Sequence, residues 1–528
     1  MALPLVLLLD SPLLIAVIFI AGIGGSFQYG LHVSMLTSPS SFIKELVNHT
    51  CEQRYGLVLN AWQLSRIWSF IVSIFSIGGL IGSLCAGHLV ATYGRRRCLM
   101  VNNAVAIGGA LLMLLSKSTM SFEMIIIARL LYGLNSGIGL TAHALYVLEC
   151  APKRLRGMLG VSLSTFASMG KFFGQLLGIS ELLGTTDRWP WLLGFSGFTG
   201  LLQMLTLPIL PESPRFLLLD RNDRAGCEAA ARRLWSSKVD HASEMEDMQA
   251  EHAALRGVRI HSVKELFLER SVRWQLITTL VTFTTVQLCG INAVYLYSFE
   301  VFTAAGIPSH QLRYAALGTG LCEVSTSVAC VLVIESTGRR VLLFRGYMGM
   351  AATLALLTLT LYLQAHVSWM PYCSMVLIFV FIFFFSSGPC KEPLLNPYVN
   401  VCYHAYLSVY LCAAGVTTSL PGEIYTQSFK SPAFTAGTTI NWAGLFILGM
   451  VFPLIVENLE YFCFLIFFFF CFFSAVFVWY VVPETKNRTV LEIAVAFKQM
   501  HHKRRAMEEV KEDELTSDCV LCNKATKL

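Results

Sequence analysis

Residues 64–97 read LSRIWSFIVSIFSIGGLIGSLCAGHLVATYGRRR, an apolar run that stops at one glycine and three arginines. The run exceeds the ~20 apolar residues that an α-helix needs to cross a bilayer. Arginines directly after such a run are typical of the cytoplasmic side of a membrane protein. The stretch therefore predicts a membrane-spanning helix that ends at the cytoplasmic surface.

The whole chain has a similar composition. Of its 528 residues, 55% are hydrophobic, 14% are charged and 36 are Phe, whereas soluble proteins carry about 25% charged residues. This excludes a soluble enzyme, a disordered scaffold and a small disulfide-stapled domain. The formal charge of +6 does not indicate nucleic acid, because the basic residues form short clusters between apolar runs, as in membrane-protein loops.

Lys and Arg cluster after every second apolar run. The positive-inside rule then places both termini and the loop 211–272 in the cytoplasm, and the loop 37–63 outside. Asn48-His49-Thr50 in that outer loop is an N-glycosylation sequon, so we expect a glycan on Asn48 of a multi-pass plasma-membrane protein. The predicted spans are 11–36, 64–92, 98–117, 121–148, 158–180, 188–210, 273–303, 313–334, 341–364, 371–427, 433–457 and 460–482.

The two halves of the chain repeat one another. Gly94-Arg95-Arg96 recurs as Gly338-Arg339-Arg340, and a Glu seven residues before a basic residue occurs in both halves. Two six-span halves related by an axis along the membrane normal are a known transporter architecture. The predicted organisation is an N-terminal half, a cytoplasmic loop with short helices, a C-terminal half and a cytoplasmic tail, at 1–210, 211–272, 273–482 and 483–528.

Several short motifs, in their order and spacing, resemble the sugar porter family of the major facilitator superfamily. They lie closest to the animal facilitative glucose transporters, in the branch that contains the fructose transporters. The motifs are residues 26–30 (SFQYG), 94–97 (GRRR), 149–157, 211–215 (PESPR), 287–293 (QLCGINA), 335–340, 420–423 (LPGE) and 482–486 (VPETK).

The resemblance implies an all-α membrane protein with the major facilitator fold, in which twelve transmembrane helices form two six-helix halves. It implies a uniporter for a hexose, fructose or glucose or both, that works by alternating access. It implies neither an enzymatic activity nor a cofactor or metal. The expected partners are the sugar and the lipid bilayer.

Charged residues at the inner ends of the predicted helices are candidates for cytoplasmic gating. Charge-assisted pairs between carboxylates and basic residues would latch the inner ends of the two halves in one state. The alternative is that these residues serve only topology and helix dipoles. The candidates are Glu149, Arg156, Glu335, Arg340, Glu423, Lys430, Arg95 and Arg96.

A binding site for a hexose needs amides and hydroxyls, because hydrogen bonds to the protein must take the place of those that the sugar makes to water. Gln287 and Asn292 lie five residues apart at a helix break marked by Gly290, and by resemblance they match positions that contact sugar. Polar residues within spans usually face the interior. The further candidates are Ser164, Gln175, Thr418, Asn441, Tyr297 and His32. The alternative role for these groups is helix-to-helix hydrogen bonding.

The chain departs from the family pattern at several cavity positions. Where the family has two consecutive Gln residues, this chain has Val286 in place of the first. Glu323 replaces the Asn of span eight, and Thr418 replaces the Trp of span ten. These changes leave fructose, glucose or another polyol open as the preferred substrate. We hypothesise that Glu323 pairs with Lys171 of span five, because an unpaired charge in a membrane costs ~2.5–3.5 kcal/mol. The alternative is that one of the two snorkels or is neutral.

Two other functions stay open. Proton-linked members of the family carry an Asp in the first span, where this chain has His32. Because imidazole titrates near neutral pH, a proton-coupled sugar symporter is one alternative. A non-transporting sugar sensor that signals through its tail is the other.

Span ten is too long for the pattern. Pro389 and Glu423 enclose 33 residues, where the family has nine, and removal of 390–413 restores the family spacing. We interpret 390–413 as a retained intron. The alternatives are a true extra loop, whose two prolines would interrupt span ten, and a non-functional product of an unspliced message.

The polar tail ends in Thr526-Lys527-Leu528, which fits a carboxyl-terminal ligand of a PDZ domain. A PDZ-domain protein is therefore a possible partner.

Overall fold

The computed structural model describes residues 8–152, 155–236, 239–255, 259, 261–331, 339–364, 366–386, 420–421, 424–484, 492–493, 495–497 and 499. Within these ranges the regular structure is helical. In chain order the helices are α1 (Pro12–Gly24), α2 (Ser26–Ser34), α3 (Ser40–Tyr55), α4 (Ala61–Tyr93), α5 (Arg95–Ser116), α6 (Phe122–Cys150), α7 (Arg156–Leu177), α8 (Trp189–Thr206), α9 (Pro214–Leu219), α10 (Arg224–Leu234), α11 (His241–Leu255), α12 (Val263–Leu268), α13 (Arg273–Leu288), α14 (Ile291–Leu296), α15 (Ser298–Ala304), α16 (Leu312–Val331), α17 (Arg339–Leu363), α18 (Met370–Ser386), α19 (Gln427–Leu459) and α20 (Cys463–Val481).

Nine helical segments in the described ranges are long and apolar enough to cross a membrane, and Met370–Phe385 is a shorter apolar helix. The expectation of an all-α membrane protein is confirmed. The count of twelve spans stays a prediction. Helices α7 and α16, which carry Lys171 and Glu323, are not among the nine, and most of the second part of predicted span ten lies outside the described residues.

The motif that opens the sequence forms the turn between α4 and α5. Gly94 ends α4 and precedes α5 with φ of 90°, a left-handed conformation that favours glycine. A Cβ at this position would lie 2.8 Å from a carboxylate oxygen of Glu212. The glycine therefore permits both the reversal of the chain and the close approach of the loop that follows α8.

The segment 37–63, predicted as an outer loop, contains the helix α3. Its apolar residues Ile43, Leu46 and Val47 are buried, and their spacing of three and four residues places them on one face of a helix. Asn48 is exposed on this helix, whereas the hydroxyl of Thr50 is buried and donates to the carbonyl of Met120 at 3.0 Å. Glycosylation of Asn48 stays a prediction.

Two seams join helices of the first half to helices of the second half. Helix α4 packs against α19, and α7 packs against α16. Helices α9 to α12 lie in the segment 211–272, and we call the end of the bundle that carries them the loop end. We call the opposite end, which carries α3, the far end.

The segment 211–272 contacts both halves. The indole of Trp235 donates to the carbonyl of Cys150 at 2.8 Å, at the end of α6. The backbone N–H of His261 donates to the carbonyl of Ser428 at 3.1 Å, near the start of α19. The His261 ring stacks on Phe429 with a centroid distance of 4.3 Å. The loop is therefore a connection between the halves at this end.

Candidate substrate site and gates

Three of the predicted substrate residues form one amide cluster. The side-chain amide of Asn292 donates to Gln287 at 2.6 Å, and that of Gln287 donates to Asn441 at 2.5 Å. The break between α13 and α14 permits the first contact, because Gly290 takes φ of 92° and a Cβ there would meet the Phe467 ring. The amides of α13, α14 and α19 thereby satisfy one another, with Gln287 and Asn292 buried and Asn441 partly exposed.

An aromatic cluster adjoins the amides. Trp442, the residue after Asn441, packs edge-on against Tyr29 and Phe75 at centroid distances of 6.0 and 5.8 Å. His32 is buried and stacks on Tyr132 at 4.0 Å. The ring nitrogens of His32 have no hydrogen-bond partner among the described residues. Ligand pockets combine such apolar and aromatic walls with a few polar groups.

Tyr297 lies between the amide cluster and the far end. Its hydroxyl donates to the carbonyl of Gly449 on α19, and its ring packs on Phe452 at 5.3 Å. The side chain is buried. Tyr297 therefore attaches the chain after α14 to the part of α19 that lies toward the far end.

The α7–α16 seam is a ladder of polar contacts. The ammonium of Lys171 lies 2.8 Å from the carboxylate of Glu323, and both side chains are less than 10% exposed. Gln175 donates to the hydroxyl of Thr319 at 3.0 Å. Ser168 and Ser327 join their hydroxyls at 2.8 Å. Ser164 lies at the start of the same face of α7 but is exposed.

At the loop end, Arg95 forms an ion pair with Glu149. The guanidinium lies 2.7 Å from Glu149 and 2.8 Å from Asp220, and the Ser213 hydroxyl donates to Glu149 at 2.7 Å. One carboxylate oxygen of Glu212 accepts from the backbone N–H groups of Arg95 and Arg96, at 3.1 and 3.0 Å. These contacts join the first half to the loop 211–272.

Other gating candidates are placed differently. Arg340 donates to the carbonyl of Trp479 within the second half, with its guanidinium 5.2 Å from the indole centroid. Lys430 is half-buried on α19. The side chain of Arg156, together with Glu335, Glu423 and the substrate candidate Thr418, lies outside the described residues. A latch between the inner ends of the two halves stays a prediction.

A set of polar contacts that the sequence did not predict crosses between the halves at the far end. Lys44 of α3 lies 3.2 Å from Glu300 of α15. Ser65 of α4 donates to Glu457 of α19 at 2.8 Å. A signal was present, since Lys44 is a lysine in a segment predicted to lie outside, where the positive-inside rule makes basic residues scarce.

Two further contacts lie beside these. Tyr314 donates to Glu181 at 2.6 Å, and Arg313 donates to the Ser180 hydroxyl. The hydrogen bond from Tyr314 lowers the pKa of Glu181, because it stabilises the carboxylate. Together with the contacts of Lys44 and Ser65, these bonds hold the far ends of the two halves together.

A family model described as sugar (and other) transporter matches residues 17–396 and 391–497. The match thus covers nearly all of the chain. It is divided at residues 391–396, at the start of the predicted insertion.

Similar proteins include transporters of solute carrier family 2. Facilitated glucose transporter member 9 of Homo sapiens is 39% identical over 474 residues, which are 90% of this chain and 83% of that one. Member 11 of Homo sapiens is 38% identical, covering 94% of this chain and 96% of that one. Member 5 of Mus musculus is 38% identical and covers 94% of both. These relatives are transporters rather than enzymes, which agrees with the expectation for this chain.

Solved structures of the bacterial transporter XylE share the fold. One is the proton:xylose symporter XylE bound to 6-bromo-6-deoxy-D-glucose, with a TM-score of 0.68 at 20% identity over 92% of this chain and 98% of that one. Another is the inward open xylose transporter XylE from E. coli, with a TM-score of 0.69 at 18% identity over 92% and 99%. These structures show the fold of XylE, a major facilitator superfamily transporter. The family match and the relatives agree: this chain belongs to the sugar transporter family, with the facilitated glucose transporters of solute carrier family 2.

Proposed function

We propose that the chain is a facilitative hexose uniporter, for fructose, glucose or both, that works by alternating access. The observation that carries this proposal is the amide cluster of Gln287, Asn292 and Asn441 at the break between α13 and α14. The relatives, named facilitated glucose transporters, support it.

The amide cluster suits a ligand made of hydroxyls. Each amide group both donates and accepts hydrogen bonds, so a sugar hydroxyl is able to replace either partner of an amide–amide bond. The bonds between the three side chains keep the amides satisfied when the site is empty, which limits the cost of a buried polar group. The rings of Tyr29, Phe75 and Trp442 provide the apolar wall for the carbon face of a sugar.

Alternating access follows from the arrangement of the halves. Two halves that meet along two seams are able to rock about a site between them. The contacts of Lys44 with Glu300 and of Ser65 with Glu457 close the far end. We propose that the far end faces outside and the loop end faces the cytoplasm, because the arginines that follow α4 lie at the loop end.

The principal alternative is proton-coupled symport. It is favoured by His32, a buried imidazole whose ring nitrogens lack a partner within the described part of the chain. Against it, the ring stacks on Tyr132, and the buried guanidinium of Arg129 donates to the His32 carbonyl at 2.7 Å, so that a second positive charge on the imidazole is unfavourable. Sugar uptake that carries no proton current in voltage-clamped cells supports the uniporter, and an inward current that accompanies the sugar supports the symporter.

The proposal also concerns residues 390–413. A retained intron at this place accounts for the 33 residues between Pro389 and Glu423 and for the divided family match. Transcript sequencing tests it directly, since the interpretation requires messages that lack these 24 codons.

The deciding experiment is uptake of labelled fructose and labelled glucose by cells that express the chain with and without residues 390–413. Surface biotinylation normalises both forms, and treatment with a glycosidase reports whether Asn48 carries a glycan. Saturable uptake of either sugar, with a raised KM in the Asn292→Ala variant, is the expected result. Binding of sugar without uptake selects the sensor, and neither binding nor uptake by forms at the surface refutes hexose transport.

A further inference from the structure

The tyrosine three residues after Asn292 contacts the intramembrane ion pair. Tyr295 lies on α14, is fully buried, and its ring centroid lies 4.2 Å from the ammonium of Lys171. This distance is within the range of a cation–π contact, which is strong where the cation is shielded from water. Because α14 belongs to the second half and Lys171 to the first, the contact crosses between the halves.

Lys171 therefore holds two elements of the second half at once. Its ammonium pairs with Glu323 of α16 at 2.8 Å and lies over the ring of Tyr295 on α14. Glu323 is also a close electrostatic neighbour of Tyr295. The three side chains, which we call the charged strut, connect the α7–α16 seam to the helix that carries Asn292.

Helix α14 joins the amide cluster to Tyr295. The helix is only six residues long, Ile291–Leu296, and residues three apart lie on one face about one turn from each other. Its two ends are a Gly290 turn and the irregular backbone of Tyr297. The segment is therefore able to shift as a unit, and a shift of Asn292 toward a bound sugar displaces the Tyr295 ring from Lys171.

We propose that Tyr295 is a positioning residue that couples sugar binding at the amide cluster to the seam between the two halves. The inference rests on the proposed function as a hexose transporter. In this arrangement an empty site leaves the strut intact and holds the halves in register. A bound sugar draws α14 away from Lys171, weakens the strut and lowers the barrier to rocking.

The test compares Tyr295→Leu, which removes the aromatic face, with Tyr295→Phe, which keeps the ring and removes only the hydroxyl. Uptake is measured as Vmax per transporter at the surface and as KM, in the full chain or the 390–413 deletion, whichever transports. We expect Tyr295→Phe to stay within about threefold of wild type in both constants. We expect Tyr295→Leu to raise Vmax about tenfold, because it weakens the strut and lowers the barrier to rocking, with KM within about threefold.

A double-mutant comparison separates coupling from a general packing role. The pair Lys171→Gln with Glu323→Gln removes the cation without leaving a lone buried charge. If Lys171 and Tyr295 act through their contact, adding Tyr295→Leu to this pair has no further effect on Vmax. If Lys171 and Tyr295 have independent structural roles, the effects of the substitutions on Vmax multiply instead, and that outcome overturns the inference.

The outcomes distinguish the two proposals. Wild-type uptake of neither sugar refutes the proposed function and removes the basis of the inference. Wild-type uptake with an unchanged Tyr295→Leu variant refutes the inference alone. If Tyr295→Leu does not reach the surface, Tyr295→Met takes its place, and the same comparison with the Gln pair decides.

Discussion

The ion pair of Lys171 and Glu323 gives the sharpest prediction for stability. The perturbation is Lys171→Met, which leaves the Glu323 carboxylate buried without its cation. The two charged groups lie 2.8 Å apart, and their side chains are 9% and 7% exposed, so water reaches neither in quantity. Removing one member of a buried pair costs about 3–5 kcal/mol, and a lone charge in a membrane helix costs ~2.5–3.5 kcal/mol.

We therefore expect Lys171→Met to lower the free energy of unfolding by about 3 kcal/mol, roughly a hundredfold in the equilibrium constant. The assay is thermal or denaturant unfolding of the purified chain in one detergent, together with the fraction of protein at the cell surface. Lys117→Met is the matched control, since it removes the ion pair with Asp187, whose partners are 39% and 91% exposed. Such an exposed pair contributes only ~0–1 kcal/mol.

The reciprocal exchange completes the test. In Lys171→Glu with Glu323→Lys the charges are swapped, and we expect it to recover most of the stability that either single neutral variant loses. The reasoning is refuted if Lys171→Met destabilises the protein no more than Lys117→Met, or if the exchange does no better than the single variants.

Three further predictions concern sugar binding, the far end and pH. Asn292→Ala is expected to raise KM for the transported sugar at least tenfold, as for loss of a buried hydrogen-bond partner, and a KM unchanged in uptake assays contradicts this. Lys44→Glu breaks the contact with Glu300 and is expected to increase labelling by a membrane-impermeant thiol reagent at a cysteine introduced between the far ends. The swap with Glu300→Lys should reverse the increase, and equal labelling in all variants contradicts far-end closure. The hydrogen bond from Tyr314 lowers the pKa of Glu181. The stabilisation of the closed far end by this contact is therefore fully present at pH values above the ordinary carboxyl pKa, and it is lost as the pH falls through the lowered pKa. Tyr314→Phe should abolish that part of the acid dependence of labelling, and an unchanged pH profile argues against the contact.

Much of the fold could be predicted from the sequence, because membrane insertion depends on local properties. The length and apolar content of a run decide whether it spans, and neighbouring Lys and Arg decide its orientation. Short motifs then indicated the family, which the family match and the relatives confirm. The helix α3 was not predicted because it is short and has one apolar and one polar face. The average hydropathy of such a segment is similar to that of a loop.

Which charged side chains pair with one another depended on how the helices pack. The spacing of Glu149 and Arg156 predicts a pair along one stretch of chain, and the side chain of Arg156 lies outside the described residues. The structure adds a pair that the spacing did not predict, between Glu149 and Arg95 of the neighbouring helix. The Gly94 turn and the packing of α5 beside α6 bring these two groups together, and neither is visible in a linear pattern. The contact of Lys44 with Glu300 joins residues 256 positions apart and arises for the same reason.

The contacts of Lys171 show which features the sequence predicts and which depend on the tertiary structure. Its sequence context was enough to require a partner, since a membrane makes an isolated charge costly, and Glu323 was the carboxylate within a span that faced the same interface. The contact with Tyr295 was not foreseen, because it depends on the break at Gly290 and on the direction in which α14 leaves it. Local chemistry thus decides which groups need partners, and the three-dimensional path of the helices decides which partners they meet.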